Sequence, residues 1–71
     1  MQNEILQDRF LNAVRKDRTA VTVFLVNGFQ IRCFVTGFDP FVVMVSAEGR
    51  QEMIYKHAIS TIIPTAPVSM E

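Results

Sequence analysis

The chain has no tryptophan, and only one cysteine, one histidine and one tyrosine among its 71 residues. A single cysteine, Cys33, excludes an internal disulfide. One cysteine and one histidine argue against a zinc site built within one chain, so no metal or other cofactor is expected. No apolar run approaches the roughly 20 residues that span a bilayer. Asn3, Glu4 and Asp8 interrupt the start, where a signal peptide would need an apolar stretch. The expectation is a soluble, cytoplasmic protein with no membrane partner. Net charge is missing too, because seven basic and seven acidic residues cancel. A monomeric nucleic-acid binder is usually basic, so this balance counts against one unless positive charge is sorted onto particular surfaces. Some sorting is visible: Arg9, Arg15, Lys16 and Arg18 share one short segment, opposed locally by Asp8 and Asp17. Repeated around a ring, such a cluster would form a concentrated positive band.

What the chain does have is apolar surface. Hydrophobic residues make up 49% of a length near the lower limit for a self-sufficient core. Domains this small need disulfides, metals or partner chains. With the first two excluded, oligomerisation is the expected use of the surplus.

Residues 4–17 read as an amphipathic helix, with Leu6, Phe10 and Val14 at intervals of four, Leu11 and Ala13 beside them, and Asn3 or a polar neighbour as its cap. From Val21 the pattern changes to β-branched and aromatic residues at period two, which predicts strands over about residues 20–63. Val21, Val23 and Leu25 face one way, and Thr22, Phe24 and Val26 the other. Asn27-Gly28 is a strong hairpin signal because it tolerates positive φ at both turn positions. Phe29 to Phe38 follows as a long strand with Gly37 as a candidate bend, and Asp39-Pro40 turns the chain again. Phe41 to Val45, an unbroken apolar run, suggests a strand covered on both faces. Ala47 to Arg50 makes another turn, and Met53–Tyr55 and Ile59–Ile63 complete five strands. One helix and five short antiparallel strands predict a mainly β, strongly bent barrel of SH3 or OB type. Residues 1–64 form the domain, and residues 65–71, with Pro67 and polar ends, a short loose tail.

The densest chemistry lies in Tyr55-Lys56-His57-Ala58-Ile59-Ser60. It joins the only tyrosine and the only histidine to a lysine, groups that can stack, hydrogen-bond and carry positive charge. This segment resembles the YKHAIS signature of the Hfq family of bacterial Sm-like RNA chaperones. The likeness runs from about Leu6 to Pro64. It includes Leu6-Gln7-Asp8, Phe10-Leu11-Asn12, Leu25-Val26-Asn27-Gly28 and Phe38-Asp39 with Phe41-Val42. The resemblance implies an Sm-like barrel assembled as a hexameric ring, with RNA as the partner and no small-molecule substrate. It further implies two RNA-binding faces and a rim: uridine-rich segments on the proximal face, adenine-rich ones on the distal face, and annealing at the rim. On the proximal side the matching positions are Gln7, Phe41, Tyr55, Lys56 and His57. Phe41 offers a ring on which uracil can stack, Lys56 can donate to a uracil carbonyl and offset phosphate charge, and Gln7 can donate and accept. On the distal side they are Phe24, Asn27, Gly28, Phe29, Gln30, Ile31 and Thr61, with Glu52 where many relatives place glutamine. A carboxylate accepts from the adenine amino group but cannot donate to the ring nitrogen, and Gln51 points to the opposite strand face. The rim positions are Asn12, Arg15, Lys16 and Arg18, where a lysine and Asp17 dilute a pattern that is richer in arginine in many relatives. Cys33 stands where Sm-like proteins often carry glycine, so Gly37 or a bulge would supply the bend.

Two other classes fit less well. An enzyme would need a nucleophile and base within reach or paired carboxylates in a pocket. Cys33 and His57 fall on different strands, and Asp39 sits in a turn beside proline. An SH3-like protein-interaction module would use an aromatic groove that usually includes tryptophan. The expectation is therefore a non-enzymatic RNA chaperone that anneals small regulatory RNAs to messenger RNAs.

Overall fold

The computed structural model describes the backbone of residues 2–70 and the side chains from Leu6 to Met70. The elements in chain order are helix α1 (Gln2–Lys16) and strands β1 (Val21–Leu25), β2 (Gln30–Phe38), β3 (Val42–Ala47), β4 (Arg50–Tyr55) and β5 (Ile59–Pro64). A 3-10 turn, Lys56–Ala58, lies between the last two strands. All neighbouring strands are antiparallel, in the spatial order β4-β3-β2-β1-β5. β2 belongs to both halves of the sheet: its first part pairs with β1 and its second with β3. The β2–β3 register slips between Val35 and Gly37. A bulge of this kind bends its strand and sharpens the local twist. This supplies the expected bend, and it leaves Cys33 free to occupy a core position, 2% exposed.

Alternation along the strands selects the core. Val21 and Val23, Cys33 and Val35, Val43 and Val45, and Ile54 point inward, and Leu11 and Val14 of α1 cover them. Burial holds the Cys33 thiol above its ordinary pKa, with the Glu52 carboxylate adding to the effect, so it stays a neutral apolar group. Two expectations need correction here. Leu6 was expected in the helix stripe but is 60% exposed, because the stripe that reaches the sheet runs through Phe10, Leu11 and Val14. β3 was expected to be covered on both faces. Only Val43 and Val45 are buried, while Val42 and Met44, on the alternate face of the strand, are half-buried.

Helix α1 begins at Gln2, so Asn3 lies inside it and not at its cap. β4 starts at Arg50, three residues earlier than its apolar stretch suggests, because the turn at Glu48-Gly49 is tight enough to pair Ala47 with Arg50. That turn has positive φ at both central residues, 53° and 79°, the type I′ geometry. Asn27-Gly28 makes a different turn. Gly28 N–H donates to the Leu25 carbonyl at 2.9 Å, Leu25 N–H donates to the Phe29 carbonyl at 2.8 Å, and only Gly28 has positive φ. This is a three-residue loop closing on a glycine bulge, and the Asn27 side chain accepts from Phe29 N–H to lock it. The chain after Pro64, expected as a loose tail, is tied back: Thr65 donates to the Ala20 carbonyl through both N–H and hydroxyl, and Val68 packs on the core.

The helix ends in a Schellman motif. Arg18 N–H donates to the Arg15 carbonyl and Thr19 N–H to the Val14 carbonyl, with Arg18 at φ 53°. A side chain in this left-handed region carries strain that glycine escapes. Arg18→Gly is expected to raise stability by roughly 0.5–1 kcal/mol, read from urea unfolding at fixed protein concentration. A lower midpoint would show that contacts of the arginine side chain outweigh its backbone strain.

Candidate nucleic-acid interface

One end of the barrel gathers side chains from three distant stretches. Gln7 comes from α1, Phe38 to Phe41 from the turn after β2, and Tyr55 to His57 from the end of β4 and the 3-10 turn. The Lys56 ammonium donates to the Gln7 side-chain carbonyl and stands 5.8 Å from the centre of the Phe38 ring. Its backbone N–H donates to the Phe41 carbonyl at 2.8 Å. Tyr55 and His57 stack with ring centres 5.5 Å apart and planes within 10°. Pro40, Phe41, Tyr55, Lys56 and His57 line one shallow pocket. Phe41 is 75% exposed, although it begins an apolar run. A large ring left in water beside a cation and two stacked rings is a surface for a flat, anionic ligand.

Asp39 holds this arrangement; the sequence marked it as a turn residue within a segment of the family resemblance, with no role in the site. Its carboxylate accepts from Phe41 N–H at 2.8 Å and Val42 N–H at 2.9 Å. These two bonds, with the Lys56 charge nearby, hold its pKa below the ordinary carboxylate value.

The distal candidates are divided by the pleat of the sheet. Gln30, Phe24 and Thr61 are direct cross-strand partners and form one row over β2, β1 and β5. Ile31 pairs with buried Val23 and Glu52 with buried Val45, so both project from the other face. Gln51 pairs with Ser46 and points away from Glu52, as its position in the strand implies. Phe29, 70% exposed, stands beside the Asn27-Gly28 loop.

The rim candidates lie on and just after the last turns of α1, all exposed. Arg15 donates to the Asn12 side chain at 2.6 Å. Arg9, Asn12, Arg15 and Lys16 line a groove shared with Ser69 and Met70 of the tail. Arg9 donates to the Met70 carbonyl. The sequence placed Arg9 in the basic segment but gave no sign that the tail returns to it.

Among the described residues, no helix is long and apolar enough to cross a membrane. Among the same residues, no group of three or more His, Cys, Asp or Glu side chains is placed to hold a metal ion.

A bent five-stranded barrel capped by one N-terminal helix, with this polar and aromatic cluster at one end, is the Sm-like architecture. The sequence matches the Hfq protein family over residues 6–69, and the chain belongs to that family. It is 64% identical over 64 residues to the RNA-binding protein Hfq of Carboxydothermus hydrogenoformans, covering 90% of this chain and 75% of that protein. The RNA-binding protein Hfq of Anoxybacillus flavithermus is 57% identical over 72 residues, with 100% and 97% covered. A crystal structure of the pleiotropic translational regulator Hfq matches with a TM-score of 0.78 at 44% identity, covering 80% of this chain and 95% of that one. These relatives carry names for binding and regulation, not for a reaction. The family match also runs past Pro64 into the tail.

The Asp39 geometry has a pH signature. A folded-state pKa below the ordinary carboxylate value means the turn is fully held above about pH 4. It loosens as pH falls through the depressed value. The Phe41 and Val42 amide resonances are therefore expected to shift together in acid, and to stay still over that range in Asp39→Asn. Independent movement of the two amides would contradict a shared carboxylate acceptor.

Proposed function

We propose that the chain is a non-enzymatic RNA chaperone of the cytoplasm that works as a homohexameric ring. It binds uridine-rich RNA on its proximal face through Gln7, Phe41, Tyr55, Lys56 and His57. It binds adenine-containing RNA on its distal face through the exposed aromatic and polar groups around the Asn27-Gly28 loop. Holding a small regulatory RNA and a messenger RNA on separate faces raises their encounter rate, and the basic residues of the rim assist annealing.

The observation that supports this most directly is the end-of-barrel cluster. An exposed Phe41, a Lys56 ammonium oriented by Gln7 and the Tyr55–His57 stack occupy one surface. Stacking supplies roughly 1–3 kcal/mol per base without regard to sequence. Lysine adds attraction for phosphate that salt screens. Support for the ring comes from the two outer strands, β4 and β5, which among the described residues have no strand partner on their outer edges. Met53, Tyr55 and Ile63 on those strands are each about half exposed. Leu6, Phe10, Ile59 and Ile62 line an apolar groove beside β5. Pairing β4 of one copy with β5 of the next satisfies both edges and covers that surface.

The test is fluorescence anisotropy of labelled oligo-U and oligo-A, alone and in competition. Binding of both without mutual displacement is expected, and full competition between them would contradict separate faces. Lys56→Ala is expected to weaken oligo-U by on the order of tenfold and to leave oligo-A nearly unchanged. Phe29→Ala is expected to do the reverse, by about the loss of one stacked base, once its fold has been checked by circular dichroism. Equal losses for both RNAs in either variant would overturn the face assignment. At the rim, Lys16→Arg is expected to speed annealing of two complementary RNAs, because arginine engages phosphate bidentately and stacks on bases. An unaltered rate would remove Lys16 from the annealing surface.

A further inference from the structure

The chain holds one histidine, His57, and it stands in the end-of-barrel cluster. Imidazole is the one side chain whose ordinary charge change falls between pH 5 and 8. Carboxylates titrate below that window, and burial holds the Cys33 thiol above its usual value. Between about pH 6 and pH 8, His57 is therefore the side chain that can change the charge of this surface.

His57 is exposed on the 3-10 turn, with its ring nearly parallel to that of Tyr55. An offset stack of this kind tolerates a charged ring, because the face of tyrosine attracts a cation. Protonation thus adds charge without dismantling the platform. The charged groups around it come from three elements. Lys56 is its neighbour on the turn, Asp39 comes from the turn after β2, and Asp8 comes from α1. Both acids line a second pocket, which meets that of His57 at Pro40 and Lys56. Among the described residues Arg50–Glu52 is the one ion pair, so no carboxylate lies within pairing distance of the imidazole. Lys56 opposes its charging, and an anion entering the pocket supplies the counter-charge that the chain does not.

We propose that His57 makes the proximal face a proton-linked site, which binds uridine-rich RNA more tightly as pH falls from about 8 to about 6. A phosphate beside the imidazole favours its charged form. By reciprocity, the proton favours the bound RNA by the same factor. Binding is then accompanied by proton uptake at His57. The ring is exposed and solvent screens its charge, so the gain over that interval is about two- to sixfold. Salt dependence steepens in acid, because one more cation meets the phosphates. This rests on the proximal-face reading above and deepens it.

The experiment measures anisotropy of labelled oligo-U and oligo-A across this pH range at constant ionic strength, with the wild-type protein and with His57→Gln. The RNAs carry no terminal phosphate, whose second ionisation falls in the same window. Uracil gains or loses no proton there, so the oligo-U response belongs to the protein. The Asp39 turn is held throughout, since its carboxyl titrates below the ordinary value. Native mass confirms assembly of both proteins at each end of the range. Wild type is expected to bind oligo-U about two- to sixfold tighter at the acid end, with oligo-A nearly flat. His57→Gln keeps a hydrogen-bonding side chain that cannot charge, and is expected to lose this pH dependence whatever its affinity. In the proton NMR spectrum, the single histidine ring is expected to reach its charged-form shifts at a higher pH with oligo-U bound than without. A flat oligo-U affinity in wild type, or the same slope in His57→Gln, would overturn this inference and leave the face reading intact. Parallel rises for oligo-U and oligo-A would overturn it as well. If oligo-U binds at no pH, the proximal reading fails and the inference with it.

Discussion

Two strand edges without partners govern this molecule. β4 and β5 end the five-stranded order on opposite sides, and among the described residues neither outer edge has a strand partner for its backbone N–H and C=O groups. Exposed edges of this kind template pairing with another chain unless charge, proline or a covering element blunts them. Here charge is confined to Arg50 and Glu52 at the start of β4, and proline to Pro64 at the end of β5. Met53, Tyr55, Ile63 and the groove at Leu6 leave apolar surface beside both edges. The interior is small and dominated by valine, and a single cysteine excludes an internal disulfide. A domain of this size gains much of its stability from what it buries against copies of itself. The proposed ring also answers the charge question. A chain of zero net charge can bind a polyanion if its cations are concentrated by repetition and its acids face elsewhere.

The bend in β2 connects this architecture to the site. By rolling the sheet over itself between Val35 and Gly37, it brings the Asp39 turn and the end of β4 to one end of the barrel. There, Lys56 N–H meets the Phe41 carbonyl and Asp39 meets the Phe41 and Val42 amides. The helix adds Gln7, which steers the Lys56 ammonium from 49 residues away in sequence. Orientation of an exposed aromatic and a long cation is thereby fixed before any ligand arrives. Such preorganisation lowers the ordering cost of binding.

Much of this was legible in the residues, because period-two alternation and turn chemistry are local signals. The helix, the five strands, their antiparallel order along the chain and the inward valines follow from them. What escaped is non-local or depends on backbone geometry. Asn27-Gly28 and Glu48-Gly49 both signal tight turns, yet only the second adopts positive φ at both positions. At the first, Asn27 uses its side chain to hold Phe29 N–H and the loop takes one more residue. Leu6 fits the helical stripe by spacing, but it is 60% exposed and lines the open groove beside β5. Ile31 and Phe24 look like one aromatic and aliphatic patch in sequence, and the pleat sends them to opposite faces. Gln7, Phe41, Tyr55, Lys56 and His57, far apart in sequence, lie at one end of the barrel. Phe38 and Asp39 belong to the segments that carry the family resemblance, but their supporting contacts to Lys56 and to the Phe41 and Val42 amides are non-local or geometric and were not legible.

The central claim is that the unpaired edges close the chain into a ring. Native mass spectrometry over a dilution series tests it most directly, because it reads the number of chains without assuming a ligand. A hexamer that persists on dilution is the predicted result. A folded monomer with β4 and β5 stable in water would contradict the account, since its edges and apolar groove would then need no partner.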